Sequence, residues 1–137
     1  MAYDLIPVRS LLSLASANVR PDTFDPIFGN SDHPAVYVYA RASGPGNLRY
    51  RARMFWPGPD GNLAEDPATA SGAAALVGVI IEQENLSDGD HTVTVEQGVE
   101  MGRPSTITLY LSIRDGALVT LNVSGEVVLV SRGELNI

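Results

Sequence analysis

The sequence predicts an α+β fold, a mostly antiparallel sheet curled around one central buried helix. Three observations predict it. A capping signal, Glu65-Asp66-Pro67, leads into an apolar run from Ala73 to Ile81. That run has no polar stripe, because Ala73, Ala74, Ala75, Leu76, Val77, Val79, Ile80 and Ile81 cover every azimuth at the helical period. On either side, short segments rich in β-branched and aromatic residues are punctuated by turn signals. A helix apolar all round must be enclosed, and this one is too short for a bilayer, which needs about 20 apolar residues.

Taken in order, Tyr3 to Arg9 alternates weakly and reads as a short strand ending at Ser10. Leu11 to Ala17 is a helical turn or a packed loop. Asp22 to Phe28 follows Pro21 and places Phe24, Ile27 and Phe28 at helical spacing, the pattern of a short amphipathic helix. Gly29 to Asp32 breaks it. Ala35 to Ala42 (AVYVYARA) is a strand, and Ser43 to Asn47 a turn. Leu48 to Trp56 alternates, with Arg49, Arg51 and Arg53 on one face, which is either a solvated sheet face or an anion site. Pro57 to Asn62 is a loop that delivers the chain to Asp66, and without a Walker lysine its glycines make no phosphate loop.

Asp66 is suited to cap the central helix, with Pro67 at its first position, where the missing N–H costs nothing. Small residues from Ala68 to Ala75 allow close backbone approach. Beyond the helix, Asn85 to Asp90 is a polar loop, and His91 to Gln97 alternates with Val93 and Val95 inward. Ser105 to Arg114 forms a further strand. Asp115-Gly116 is a tight hairpin signal. Ala117 to Val123 returns, Ser124-Gly125 turns, and Glu126 to Ser131 makes a last strand.

Composition narrows the function. The chain has 137 residues, room for one domain with a real core, expected to span 1–137. All nine basic residues are arginine and the net charge is −7, which argues against a nucleic-acid backbone or an anionic membrane as partner. The absence of cysteine excludes disulfides, thiolate metal sites and cysteine nucleophiles. Met1 to Arg9 lacks the pattern of a signal peptide, so a cytoplasmic chain is the default. His33 and His91 show no metal-ligand spacing, and no metal or cofactor is expected. "TASGA" around Ser71 is not a nucleophile elbow.

The start of the central helix is the candidate site. Orphan N–H groups at residues 68 to 72 and the positive end of the dipole suit a carboxylate or phosphate. The plainer account is that Asp66 only caps, Ser71 only packs, and Glu65 faces the dipole.

The stretch "RMFWPG…GNLAEDPATAS" resembles the signature of the phenazine-biosynthesis PhzF-like isomerases, whose fold is that of the diaminopimelate epimerases. "LIPVRSLLSL", "EQGVEMGRPSTI" at 96–107 and "VSGEVVLVSRGEL" at 123–135 match in the same order. Ala70 stands where the family usually has glycine, which adds a methyl beside the presumed anion site.

The resemblance implies a two-lobed protein of which this chain matches the C-terminal lobe. The family's catalytic glutamate belongs to the other lobe and has no counterpart here. It implies that Asp66 touches a substrate amine or hydroxyl, as the catalytic residue of this side. Amides near Ala70, Ser71 and Gly72, with the Ser71 hydroxyl, hold a carboxylate. Without cysteine, the two-thiol racemase chemistry of the epimerases is excluded. Arg103, in the family's second loop, either reaches the cleft or only leads into a strand.

The function expected is proton-transfer isomerisation of a small carboxylate-bearing molecule, completed by a complementary N-terminal lobe or by a homodimer. The alternatives are a non-catalytic small-anion-binding or remnant domain of the same fold, or a purely structural subunit.

Overall fold

The computed structural model describes residues 3–31, 34–42, 48–58, 60 and 62–135. The turn expected at Ser43 to Asn47, Asp32 and His33, and parts of the loop at Pro59 and Gly61 lie outside the described residues. Among the described residues, seven strands and three helices follow the order β1 (Asp4–Pro7), α1 (Leu11–Ala15), α2 (Pro21–Phe28), β2 (Val36–Arg41), β3 (Arg49–Pro57), β4 (Leu63–Asp66), α3 (Ala70–Gln83), β5 (Gly89–Gln97), β6 (Ser105–Arg114) and β7 (Ala117–Gly125). The strands form one sheet in the order β1-β2-β3-β5-β6-β7, with β4 paired to β3.

The sheet is mixed. The pairs β2–β3, β3–β4, β5–β6 and β6–β7 are antiparallel, whereas β1–β2 and β3–β5 are parallel. Both parallel pairs have a physical cause in their connections. Parallel neighbours need a crossover, and α1 with α2 supplies one while α3 supplies the other. The antiparallel succession of strands expected after the helix holds for β5, β6 and β7, and the parallel pairs lie outside it.

Two apolar clusters explain why β2 is buried along almost its whole length. Tyr37, Tyr39, Tyr50 and Ala52 pack with Ala73, Leu76, Val77 and Ile80 of α3 on one face. Val36, Val38, Ala40 and Phe55 pack with Leu14 of α1 and Phe24 of α2 on the other. A strand covered on both faces reads as a continuous apolar run. β5 and β6 are covered on one face only, and their alternation is clean: Val93 and Val95, then Ile107, Leu109, Leu111 and Ile113, are buried.

Helix α3, expected as a central helix buried all round, differs from that expectation in two ways. Its N-cap is Thr69, whose carbonyl accepts from Ala73 N at 3.0 Å, so the helix starts at Ala70 rather than at Pro67. Asp66 instead ends β4, paired with Met54, and Pro67 lies in a bend. The hairpin with β3 keeps the chain extended through Asp66 and delays the helix. The helix is also not enclosed all round. Gly72, Ala73, Leu76, Val77 and Ile80 are buried, but Ser71, Ala75, Gly78 and Glu82 form an exposed stripe.

The C-terminal strand expected at Glu126 to Ser131 is absent, as is the turn at Ser124-Gly125. β7 runs on to Gly125, which pairs with Ile107, and 126–135 has no regular structure. The Asp115-Gly116 hairpin is present. Both residues have left-handed backbone (φ 54° and 73°), and the Asp88 carboxylate accepts from their N–H groups at 2.8 and 2.9 Å. Among the described residues, no helix is long and apolar enough to cross a membrane.

Candidate active-site cleft at the start of the central helix

A cleft of about 820 Å³ opens at the first turn of α3. Its polar side is Glu65, Asp66, Thr69 and Ser71; its apolar side includes Met54 and Trp56, with Tyr3 at the rim between them. The β3–β4 hairpin brings Asp66 alongside Met54, and the short 67–69 connection then carries the chain into the helix.

Asp66 closes a local turn. Its Oδ1 accepts from Ala68 N at 3.3 Å and its Oδ2 from the Thr69 hydroxyl at 2.7 Å. It therefore still serves the helix start, though from outside the helix. Ser71 exchanges a 2.7 Å hydrogen bond with the Tyr3 hydroxyl. The N–H groups of Ala70, Ser71 and Gly72 have no carbonyl inside the helix to pair with, since Ala73 makes the first such bond.

The three expected binding positions separate. Ser71 lines the cleft with Asp66. The Ala70 side chain lines a different groove, with Ala68, Arg103 and Pro104. Gly72 is buried, and a Cβ there would lie 2.7 Å from two carbons of the Tyr37 ring, so the close approach requires glycine. Arg103 is exposed in that second groove and does not line the cleft.

Glu65 does not sit in a first helical turn. It lies in β4, where its carboxylate accepts from Arg53 Nε at 2.9 Å and Nη2 at 2.8 Å. Arg53 Nη1 also donates to the carbonyls of Leu14, Ala15 and Ala17, and its guanidinium stacks 4.8 Å over the Phe55 ring. The bond to Glu65, first among the causes, raises the Arg53 pKa and keeps it charged. Arg49 and Arg51 pair with Glu96 on the neighbouring strand at 3.4 and 3.2 Å. The arginine face is thus neither simply solvated nor an open anion site. His91 bonds the Ser87 carbonyl at 2.8 Å. Among the described residues, no three His, Cys, Asp or Glu side chains are grouped to hold a metal ion.

Gln97 lies in the stretch matched at 96–107 but is not among the site residues expected from the sequence. It is fully buried and makes four hydrogen bonds. Its Nε2 donates to the Asp66 carbonyl at 2.6 Å and to Thr69 Oγ1 at 2.9 Å. Its Oε1 accepts from Thr69 N at 3.2 Å and from the Tyr37 hydroxyl at 3.1 Å. Burial pushes the Tyr37 phenol up, with help from Tyr3 and Asp66, so it remains a donor. Next to it, Gly98 has φ +76°, and a Cβ there would lie 2.8 Å from Pro67 O. A signal for Gln97 exists in the sequence, since it occupies the inward register of Val93 and Val95, and a polar side chain in an apolar slot needs partners.

The chain is an α+β protein with a mixed sheet, and its crossover helix α3 starts at a cleft lined by Asp66 and Ser71. Residues 5–133 match the phenazine biosynthesis-like protein family, and the chain belongs to it. It is 41% identical over 99 residues to an uncharacterized isomerase of Mesorhizobium japonicum, covering 72% of this chain and 32% of that protein. It is 34% identical over 87 residues to the trans-2,3-dihydro-3-hydroxyanthranilate isomerase of Pseudomonas chlororaphis, covering 64% of this chain and 30% of that one. In fold it resembles the crystal structure of a PhzF-family phenazine biosynthesis protein of Bacillus anthracis. That likeness has a TM-score of 0.63 at 17% identity, over 88% of this chain and 44% of the other. The chain thus spans about a third of the length of the curated relatives described.

Proposed function

We propose that this chain forms one side of the active-site cleft of a proton-transfer isomerase acting on a small carboxylate-bearing metabolite. The observation that carries this reading is that Asp66 and Ser71, the latter in the first turn of α3 where the N–H groups lack helical carbonyl partners, line one cleft with an apolar wall. The substrate carboxylate docks on the amides of Ser71 and Gly72 and on the Ser71 hydroxyl, where the dipole favours an anion. Asp66 accepts from a substrate amine or hydroxyl. Glu65 does not act as the base, because Arg53 holds both its oxygens.

The base comes from a facing lobe, as the resemblance to PhzF-like isomerases implies. The chain in this reading is a single diaminopimelate epimerase-like lobe. Its partner is a complementary N-terminal lobe or a second copy. Three uncovered surfaces support a partner: the helix stripe at Ser71, Ala75 and Gly78, the uncharged edge strand β7, and Val127 to Val130. Light scattering over a range of concentrations tests this, and a monomer with no concentration dependence contradicts the homodimer.

Activity is tested by deuterium incorporation from solvent into trans-2,3-dihydro-3-hydroxyanthranilate. Incorporation that is lost in Asp66→Ala supports isomerisation. One observation favours the non-catalytic reading for this chain alone: both Asp66 oxygens are engaged by its own turn, and Glu65 is ion-paired. Binding of the same molecule without deuterium exchange supports that alternative.

A further inference from the structure

We propose that Gln97 is a positioning residue that fixes how the Asp66 turn and the first helical turn face the cleft. The inference rests on the site reading above, and its geometric part is tested without any ligand. Gln97 bridges several parts of the turn at once: it reaches the carbonyl of Asp66 and both the N–H and the hydroxyl of Thr69.

Donor and acceptor roles follow one after another from this arrangement. The Asp66 carbonyl only accepts, so the amide nitrogen of Gln97 must face it. The oxygen then faces Thr69 N, which only donates, and the Tyr37 hydroxyl donates to the same oxygen. Thr69 Oγ1 receives a proton from Gln97, so its own proton goes to Asp66 Oδ2. The polarity of the whole turn is set from Gln97 outward. The pin is also rigid, because Gln97 is fully buried and Tyr37 is pressed between Gly72 and the Tyr3 ring, which meets it edge-on at 6.2 Å. Thr69 N, tied to Gln97, does not compete for an incoming anion, and the amides that remain are those of the helix proper.

Gln97→Glu separates positioning from simple packing. The variant keeps size and keeps an acceptor for Thr69 N and Tyr37, but once ionised it puts an oxygen where the Asp66 carbonyl and Thr69 Oγ1 need a donor. Because burial raises the pKa of a carboxyl at this position, the pH series extends well above neutral. On acidification the introduced carboxyl takes up a proton, donates again and restores one of those bonds. Tyr37→Phe is the second variant, removing one bond to Gln97 without changing the fold.

The readouts are amide NMR shifts of residues 66–72 across pH, and titration with 3-hydroxyanthranilate as the probe. Compared with wild type at the same pH, Gln97→Glu should displace the amides of Ala68 to Ser71 where the introduced carboxyl is ionised and bring them back toward wild type where it is protonated. The β6–β7 hairpin amides should stay unchanged. Tyr37→Phe should displace Thr69 by less. Probe affinity should fall about tenfold in Gln97→Glu where the introduced carboxyl is ionised, the scale of one or two lost buried hydrogen bonds, and recover as it is protonated. Wild-type amides at 66–72 in Gln97→Glu across the whole pH series, or shifts relative to wild type at the same pH that acidification does not reverse, would overturn the proposal. If wild type does not bind the probe, the site reading fails, and the ligand-free amide shifts still decide the role of Gln97.

Discussion

Gly72 and Gly78 lie in the same helix, and the same substitution should act on them with opposite sign. A methyl at Gly72 would meet Tyr37 Cδ2 and Cε2 at 2.7 Å and Thr69 Cγ2 at 3.3 Å. The ring cannot swing aside, because Tyr37 is fully buried and its hydroxyl is tied to Gln97. Overpacking of this kind costs about 1–3 kcal/mol. The gain in helix propensity from glycine to alanine is about 1 kcal/mol in a helix interior and smaller in the first turn. The clash wins, and Gly72→Ala should lose about 1–2 kcal/mol.

At Gly78 a methyl would meet nothing within 4 Å. There only the backbone entropy of the unfolded chain matters, and Gly78→Ala should gain about 0.5–1 kcal/mol. Urea denaturation followed by tryptophan fluorescence reads both, since Trp56 borders the cleft. With slopes of about 1–3 kcal/mol per molar, the Gly72→Ala midpoint should fall by roughly 0.5–1 M. Equal shifts of the same sign in the two variants would refute the packing of Tyr37 against the helix start.

Glu65→Gln should destabilise the fold by about 3 kcal/mol, since it leaves the mostly buried Arg53 guanidinium without its anion; the same denaturation measurement checks it. Acid should loosen the β6–β7 turn in a specific way. Hydrogen bonds from Gly116 N, then Asp115 N, hold the Asp88 pKa below its ordinary 3.8 in the folded state. Its contribution is therefore fully present above that ordinary value and is lost as pH falls through the lower, folded one. The Gly116 amide resonance should shift in that acid window, and Asp88→Asn should abolish the shift.

The strands of this protein are legible where one physical cause acts alone. Val93 and Val95, or Ile107 to Ile113, alternate because one face is covered and the other is wet. The Asp115-Gly116 turn is legible because both of its residues tolerate left-handed backbone. Strand β4 is not legible, because Leu63 to Asp66 is short, half-buried throughout, and held by its hairpin partner rather than by any pattern of its own. The same pairing moves the helix start from Pro67 to Ala70, overriding a good local capping signal. Glu126 to Ser131 has the composition of a strand but pairs with no neighbour among the described residues, and propensity alone does not make one.

The shared cleft placement of Asp66 and Ser71 is legible because one short motif holds both, five positions apart. Gln97 is remote in sequence and joins them only through the β3–β5 pairing and the buried turn that follows. The separation of Ala70 from Ser71 could not be read either, since it depends on where the helix begins and hence on which azimuth each residue takes.

The most direct measurement is an amide NMR titration of the wild-type chain with 3-hydroxyanthranilate. Saturable shifts centred on Asp66 and Thr69 to Gly72 are expected, weakened by Ser71→Ala. Shifts centred instead on Arg103 to Thr106, or no shifts at the helix start, would contradict a ligand site there.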